Sequence, residues 1–500
     1  MVKINEIAAQ NPWWKYGIEF ARYDKHLKEA EPVFFKRQQI SFEKGKIYII
    51  RGPRQVGKTT YLKRSIKELI EKGIPTTHVL YLSIDTFTSR RELKNALAYF
   101  LESTREAPLF YIFLDEITSL EDWNLEFKNL ADQGTIERGV IVATGSSSVK
   151  LKEKAELLPG RGLEGNEYLI KPLCFREFLL QSIDYLSQFS PEDEFKIALK
   201  QMKERLISSR IYFPCTCDEM WENVQRLLPF KNEISYLFRL YLVTGGFPGV
   251  INHYFLNRYT HRKDVKDLIE PSVSEIFVRD VLGDMARLQK QESITRQLFK
   301  AIIERYGSRY SFTAISKDIE RTHITAIDYL EHLEDSFICF VLYAYDFNKK
   351  TPKWKGNKKV YFFDPFILHS IKSYLIGNDI WATITETLQD EEFQGKLIEG
   401  MVISHLIMQR EIPFLKAPQT FVWFYYDKSG REIDVVFKEN GGYWALEVKY
   451  RRSIEYRKLK IAIFDKYIVL SRDEADRADN IIVIPVDIFL SLLSTSERNL

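Results

Sequence analysis

The stretch Gly52-Pro53-Arg54-Gln55-Val56-Gly57-Lys58-Thr59 constrains this chain more than any other. It follows the apolar run Lys46-Ile47-Tyr48-Ile49-Ile50 and runs into a helical pattern from Thr60 to Ile66. Strand, glycine-rich loop and helix thus come in the order that a phosphate-binding loop requires. Glycines let the backbone N–H groups of the loop close on the β- and γ-phosphates of a nucleotide. Lys58 supplies a point charge, and the Thr59 hydroxyl is placed to coordinate magnesium. Gly52 to Thr60 are therefore the expected nucleotide-binding residues, within a parallel α/β sheet.

Length sets the scale around that loop. Five hundred residues, 45% hydrophobic and 14% aromatic, suffice for about three or four domains with cores of their own. The 72 basic and 69 acidic residues leave a net charge of +3. No global pull towards nucleic acid follows, so such a site has to come from local clustering. Cys174, Cys215, Cys217 and Cys339 are too few and too scattered for a disulfide framework, which fits a reducing compartment. No N-terminal signal pattern is visible, and no run reaches the ~18 apolar residues of a membrane span. A cytoplasmic protein without membrane partners is expected.

Along the chain, residues 1–45 read as a polar helical arm with an aromatic pair, Trp13 and Trp14, expected to serve simple packing. From 46 to 170, β-rich runs (Ile47 to Ile50, Val79 to Ser83, Phe110 to Leu114, Val140 to Thr144) alternate with amphipathic helical stretches, as in a parallel sheet. Residues 171–290 are helical in pattern and read as a lid, broken by Thr244-Gly245-Gly246-Phe247-Pro248-Gly249.

Phe110 to Leu114 ends in Asp115-Glu116, and a buried strand tolerates two carboxylates only at the C-terminal edge of its sheet, where nucleotides bind. Asp115 is expected to hold the magnesium through its water shell and Glu116 to act as general base on the attacking water. A further strand delivers Thr144-Gly145-Ser146 to the same edge. The hydroxyls of Thr144 and Ser146 either sense the γ-phosphate and position water or cap a helix. Arg161, in Pro159-Gly160-Arg161-Gly162, is either an arginine finger, in cis or from a neighbouring subunit of a homo-oligomer, or a solvated loop arginine.

The ordered set GPRQVGKTT, FLDEI, TGSSS, PGRG, PLCFREFL and TGGFP resembles the prokaryotic, largely archaeal, AAA/STAND-type P-loop ATPases. The resemblance covers roughly residues 40 to 500. It implies ATP rather than GTP, a winged helix and a C-terminal nuclease-like domain, and it implies that Gly246 and Pro248 match an element abutting the nucleotide base.

Residues 291–375 carry the pattern helix, helix, helix, hairpin. Ile294, Leu298 and Ile302 line the first helix, a short one begins near Ser311, and Ile324, Ile327, Leu330 and Leu333 line the third. Between two β-rich runs, the stretch from Lys349 to Lys359 holds six lysines around Trp354. That is the order of a winged helix-turn-helix with a basic wing, either a grip on DNA phosphates or a solvated loop.

In residues 376–500, Arg431 to Phe437 and Tyr443 to Lys449 read as a hairpin with charges inside its strands, Glu447 and Lys449 on one face. Upstream, Glu399 sits in the apolar lane of a helix from Glu391 to Gln409, where a lone carboxylate is costly and a metal would be a fitting partner. Glu399, Asp434, Glu447 and Lys449 resemble the PD-(D/E)XK nuclease pattern. That resemblance implies that the carboxylates hold a second Mg²⁺ or Mn²⁺ and that Lys449 orients water or stabilises the phosphorane charge.

The expected fold is thus α/β: a P-loop NTPase parallel sheet with a helical lid, a winged helix-turn-helix and a C-terminal restriction-endonuclease-like α/β domain. The expected function is a magnesium-dependent ATPase coupled to DNA binding and metal-dependent DNA cleavage. The alternative is an ATP-driven signalling or assembly switch with a catalytically silent docking domain.

Overall fold

The computed structural model describes residues 4–29, 37–145, 166–189, 193–213, 215–409, 421–439, 441–451, 463–478 and 480–494. They fall into two units, which change over between Lys171 and Pro172. Ser146 and Arg161 lie outside the described residues.

In the first unit, β1 (Lys46–Arg51), β2 (Val79–Ser83), β3 (Phe110–Asp115), β4 (Gly139–Gly145) and β5 (Glu167–Leu169) form one parallel sheet in the order β2-β3-β4-β1-β5. Every residue of β3 and β4 is buried, the continuous apolar signature of a sheet covered on both faces. Helices Lys58–Glu71 and Arg90–Ser103 cover it with stripes at helical spacing, Leu62, Ile66 and Leu69 in one and Leu93, Ala96, Leu97 and Phe100 in the other. Because β4 lies between β1 and β3, the loop after β1, the acids after β3 and Thr144 of β4 emerge side by side.

The N-terminal arm finishes this sheet. Asn11 donates its amide to Tyr81 O at 2.9 Å and accepts from Tyr81 N at 2.7 Å, and the Trp13 and Trp14 indoles both donate to Val79 O, at 3.0 and 2.9 Å. Gln10 accepts from Ser83 N at 2.7 Å. Side chains thus stand where a sixth strand would pair along β2, each bond contributing about 1 kcal/mol and closing an open edge.

The second unit opens with the helices of 172–290, and these are built against the C-terminal end of the chain. Arg176 donates to Ser209 O at 2.9 Å and to Ser491 O at 2.8 Å, while Lys231 lies 2.7 Å from Asp487. His405 accepts from Phe175 N at 2.8 Å. The segment expected as a lid is therefore an integral layer of the second unit.

Next come helices Glu292–Glu304, Phe312–Asp318 and His323–Asp335, then β6 (Cys339–Tyr343), β7 (Tyr345–Asp346), β8 (Thr351–Pro352) and β9 (Lys358–Phe362), with β6 and β9 antiparallel. Tyr310 adds a bridge to Lys358. The helix, helix, helix, hairpin order stands as expected, but the inward face of the third helix is Ala326, Tyr329, Leu330 and Leu333. Ile324 is 68% exposed, because it falls in the first turn, ahead of the contact face.

Helix Glu391–Gln409 leads to a six-stranded sheet of β10 (Val422–Tyr426), β11 (Glu432–Glu439), β12 (Gly442–Val448), β13 (Lys466–Ser471), β14 (Asp476–Ala478) and β15 (Ile481–Pro485), ordered β10-β11-β12-β13-β15-β14. β10, β11 and β12 are antiparallel neighbours, whereas β12, β13 and β15 run parallel. No single helix among the described residues is long and apolar enough to cross a membrane. The bent pair Cys217–Thr244 and Pro248–Thr260 has that apolarity, but its Leu237, Tyr241, Tyr254 and Phe255 are buried core.

Candidate functional sites

Lys58 opens the helix after β1, with Gly57 before it in the left-handed region at φ 96°. Gln55 is left-handed too, at φ 59°, so successive N–H groups turn inward as in an anion-binding nest. Gly52 is dictated by contact, since a Cβ there would lie 2.1 Å from Ile170 O. Val56 is buried beneath the loop. The Lys58 ammonium donates to Gly52 O and Pro53 O, both at 2.9 Å, and is held at the loop mouth.

Asp115, only 2% exposed at the end of β3, gathers three hydroxyls. Thr59 donates to Oδ2 at 2.6 Å, Tyr81 donates to the same oxygen at 2.9 Å, and Thr144 donates to Oδ1 at 2.5 Å. Burial, then the nearby Asp115 charge, push the Tyr81 phenol well above its ordinary range, so it stays a donor. Thr144 also accepts from Glu116 N at 3.1 Å. Its hydroxyl therefore positions both acids rather than facing outward. Glu116 sits left-handed at φ 52°, its carboxylate 3.8 Å from Arg54 and 3.7 Å from Lys58. The sequence pattern had no means of finding Tyr81, which looks like any strand aromatic.

The donor set at this edge suits magnesium, because Thr59 and Asp115 present hard oxygens 2.6 Å apart. Among the described residues no group of three or more His, Cys, Asp or Glu could hold a metal by itself, so water and phosphate oxygens would have to complete any shell.

Pro248 lies in the second unit, in the first turn of helix Pro248–Phe255, a position that suits its missing N–H. The glycines before it are fixed by packing. Gly246 N donates to Asp364 at 2.8 Å, Leu173 N donates to Gly246 O at 2.7 Å, and a Cβ on Gly246 would lie 2.1 Å from Leu173 O.

The four residues singled out near the C-terminus do converge. Lys449 lies 2.7 Å from Glu447 Oε2 and 3.9 Å from Asp434 Oδ2, and Asp434 Oδ2 accepts from Val448 N at 2.8 Å. Glu399 also has close protein partners. Lys359 of β9 stands 2.7 Å from its Oε1, and the Tyr361 hydroxyl donates to that same oxygen. Lys359 also lies 2.5 Å from Glu432 and 3.9 Å from Asp434 Oδ1.

Burial, reinforced by the Asp434 charge and opposed by the lysines, raises Glu399 to about 7 and Glu447 to about 8. Burial works against the charged form of Lys449, but Asp434 and Glu447 outweigh it and hold the ammonium above its ordinary range. Glu447 is 1% exposed and its Oε1 has no hydrogen-bond partner, an orphaned acceptor of the kind a cation satisfies. Asp434 and Glu447 are the residues that would hold a divalent ion on this side of the cluster.

The same geometry changes the reading of the basic wing. Lys358 and Lys359 are each 2% exposed. Lys358 donates to Trp354 O and Gly356 O, both at 2.8 Å, and burial lowers it to about 8. Neither of these two lysines can reach a phosphate backbone. The signal for Lys359 was present in sequence: with Tyr361 it forms a polar i, i+2 pair on one face of an otherwise apolar strand.

Comparison with known families follows this division. Residues 44–179 match the model of the AAA domain family. The phosphate-loop segment is of the AAA ATPase type. Residues 235–377 match a domain family of unknown function, DUF8612, and residues 394–489 match another, DUF4143. A Haemophilus influenzae protein described as uncharacterized is 24% identical over 340 residues, 66% of this chain and 69% of that one. Among solved structures, the Walker-type ATPase of Pyrococcus abyssi is similar at 14% identity, TM-score 0.37, over 65% of this chain and 91% of that chain. The Aeropyrum pernix ORC1 protein, solved in complex with DNA, is similar at 13% identity, TM-score 0.31, over 71% and 89%. The AAA-type match embraces the loop, Asp115, Glu116 and Thr144, the residues that the sheet brings to one edge.

Proposed function

We propose that the AAA-type unit hydrolyses ATP with magnesium, and that its nucleotide state controls a second unit comprising a winged helix and a PD-(D/E)XK nuclease-like domain that acts on DNA. The 2.6 Å contact between Thr59 and Asp115 carries the first half. It pairs the loop hydroxyl with the strand-end carboxylate, the two protein groups that hold magnesium on a triphosphate. Lys58 then turns from its loop carbonyls to the phosphates, Asp115 holds the metal's water shell, and Glu116 takes the proton of the attacking water. This reading takes up the γ-phosphate alternative for Ser146 and Arg161 and the base contact that the family resemblance implies for Pro248. Lys58→Ala is the test: hydrolysis that persists undiminished removes the site assignment.

For the second half, support comes from the antiparallel-then-parallel sheet and the convergence of Asp434, Glu447 and Lys449. A divalent ion there supplies charge stabilisation at a scissile phosphate, while Lys449 orients water. Grip on DNA falls to the wing lysines Lys349, Lys350, Lys353 and Lys355, because the third helix carries no Lys or Arg from His323 to Asp335 and exposes Glu331, so it offers phosphates no countercharge. Incubation with linear, nicked and single-stranded DNA, with and without ATP and Mn²⁺, tests cleavage directly.

One observation favours a second reading, an assembly switch with a silent docking domain. Lys359 already neutralises Glu399. Under that reading, nucleotide changes the oligomeric mass in solution while no DNA is cut.

A further inference from the structure

The carboxylate cluster of the second unit has two unlike sides. On one, Glu447 Oε1 is buried and, among the described residues, unpartnered, and Asp434 Oδ2 meets Lys449 at 3.9 Å and the Val448 amide. On the other, Glu399, Glu432 and Asp434 Oδ1 surround a single ammonium, that of Lys359, at 2.7, 2.5 and 3.9 Å. Lys359 is itself 2% exposed and stands on β9, paired with β6. Tyr361, two residues on, adds its hydroxyl to Glu399. A buried ammonium with three carboxylates within 4 Å is where a divalent cation would otherwise sit.

We propose that Lys359 is the resident cation of this position, so that the side formed by Glu399, Glu432 and Asp434 Oδ1 takes no divalent ion and any metal in the cluster is confined to the Glu447 side. This deepens the nuclease-like reading of the cluster: chemistry there runs on one ion, with a fixed ammonium in place of a second. Charge agrees. Glu399, Glu432, Asp434 and Glu447 face Lys359, Lys449 and Arg309, the last 3.1 Å from Glu432. Three positive groups against four carboxyls leave little net charge, so a second divalent ion would make the cluster strongly positive. Glu399 is then a positioning residue, holding Lys359 and Tyr361, and not a metal ligand.

The test is Mn²⁺ binding to the nucleotide-free full chain, followed by electron paramagnetic resonance. Glu399→Gln, which keeps shape and one acceptor, should leave Mn²⁺ affinity within about twofold of the unaltered protein. Lys359→Met should gain one further Mn²⁺ per chain, and the Lys359→Met/Glu399→Gln double variant should lose it again. A tenfold or greater weakening by Glu399→Gln would overturn the proposal, because it would make Glu399 a ligand in the native site. So would a folded Lys359→Met protein with unchanged stoichiometry. Failure of the wider nuclease-like reading looks different: Glu447→Gln would then leave Mn²⁺ binding untouched, while the ion gained in Lys359→Met would still appear.

Discussion

The Tyr81 hydroxyl donates to Asp115 Oδ2 at 2.9 Å, the oxygen that Thr59 reaches from the phosphate loop at 2.6 Å. One buried carboxylate thus reads both the edge strand and the nucleotide loop. Tyr81→Phe should cost about 1–2 kcal/mol of stability in the nucleotide-free protein, since a buried charge loses a donor. Thermal melting should show the deficit, and saturating Mg²⁺ and ATP should shrink it by giving Asp115 a replacement partner.

Thr144 makes a separate kinetic prediction. Its hydroxyl joins Asp115 Oδ1 to Glu116 N, so Thr144→Val disturbs both acids without touching the loop. Turnover should fall at least tenfold with little change in KM for ATP. Glu116→Gln should fall further, by roughly 10²–10⁴, the usual worth of a general base. Steady-state hydrolysis assays read both.

Gly246 is held by the Leu173 backbone and the Asp364 carboxylate. Gly246→Ala should destabilise the second unit by about 3 kcal/mol or more, because a methyl 2.1 Å from Leu173 O forces the chain apart. Pro248→Ala should cost under about 1 kcal/mol. A raised KM for ATP in the proline variant, with unchanged melting, would mark Pro248 as a base contact, whereas unchanged KM would assign the motif to packing alone.

His369 supplies a pH dependence. It is buried with Nε2 2.9 Å from Leu242 O, and burial lowers it to about 4. The unfolded chain, near 6.5, binds the proton more readily, so this contribution is full above pH 6.5 and fades as pH falls towards 4. Chemical denaturation across that range should show His369→Gln with a flatter slope than the unaltered protein, the difference reaching on the order of 2–3 kcal/mol.

Much of this was legible in the chain because it rests on local pattern. The strand ends at Val79, Ser83 and Ile481 and the helix Glu391–Gln409 follow from apolar runs and their breakers. The pairing of Glu447 with Lys449 follows from a period of two, while Asp434 joins them only through the family resemblance. The partner of Lys359, the role of Tyr81 and the placing of residues 172–290 were not legible, for one physical reason. Each depends on a partner far along the chain, as with Lys359 and Glu399, or Arg176 and Ser491, and neither spacing nor propensity encodes that meeting. Lys359 reads as a wing residue because it closes a run of six lysines around Trp354, of which it and Lys358 are buried.

Arg176 reaches Ser491 across 315 positions of sequence. At about 5–20 residues per second of synthesis, the guanidinium waits roughly 15–60 s on the ribosome for the carbonyl that receives it. The first unit has all its strands by then and can fold as it emerges. The second gains the partner of Arg176 only when its last described helix appears, so truncated or stalled chains present a complete first unit joined to an unfinished second.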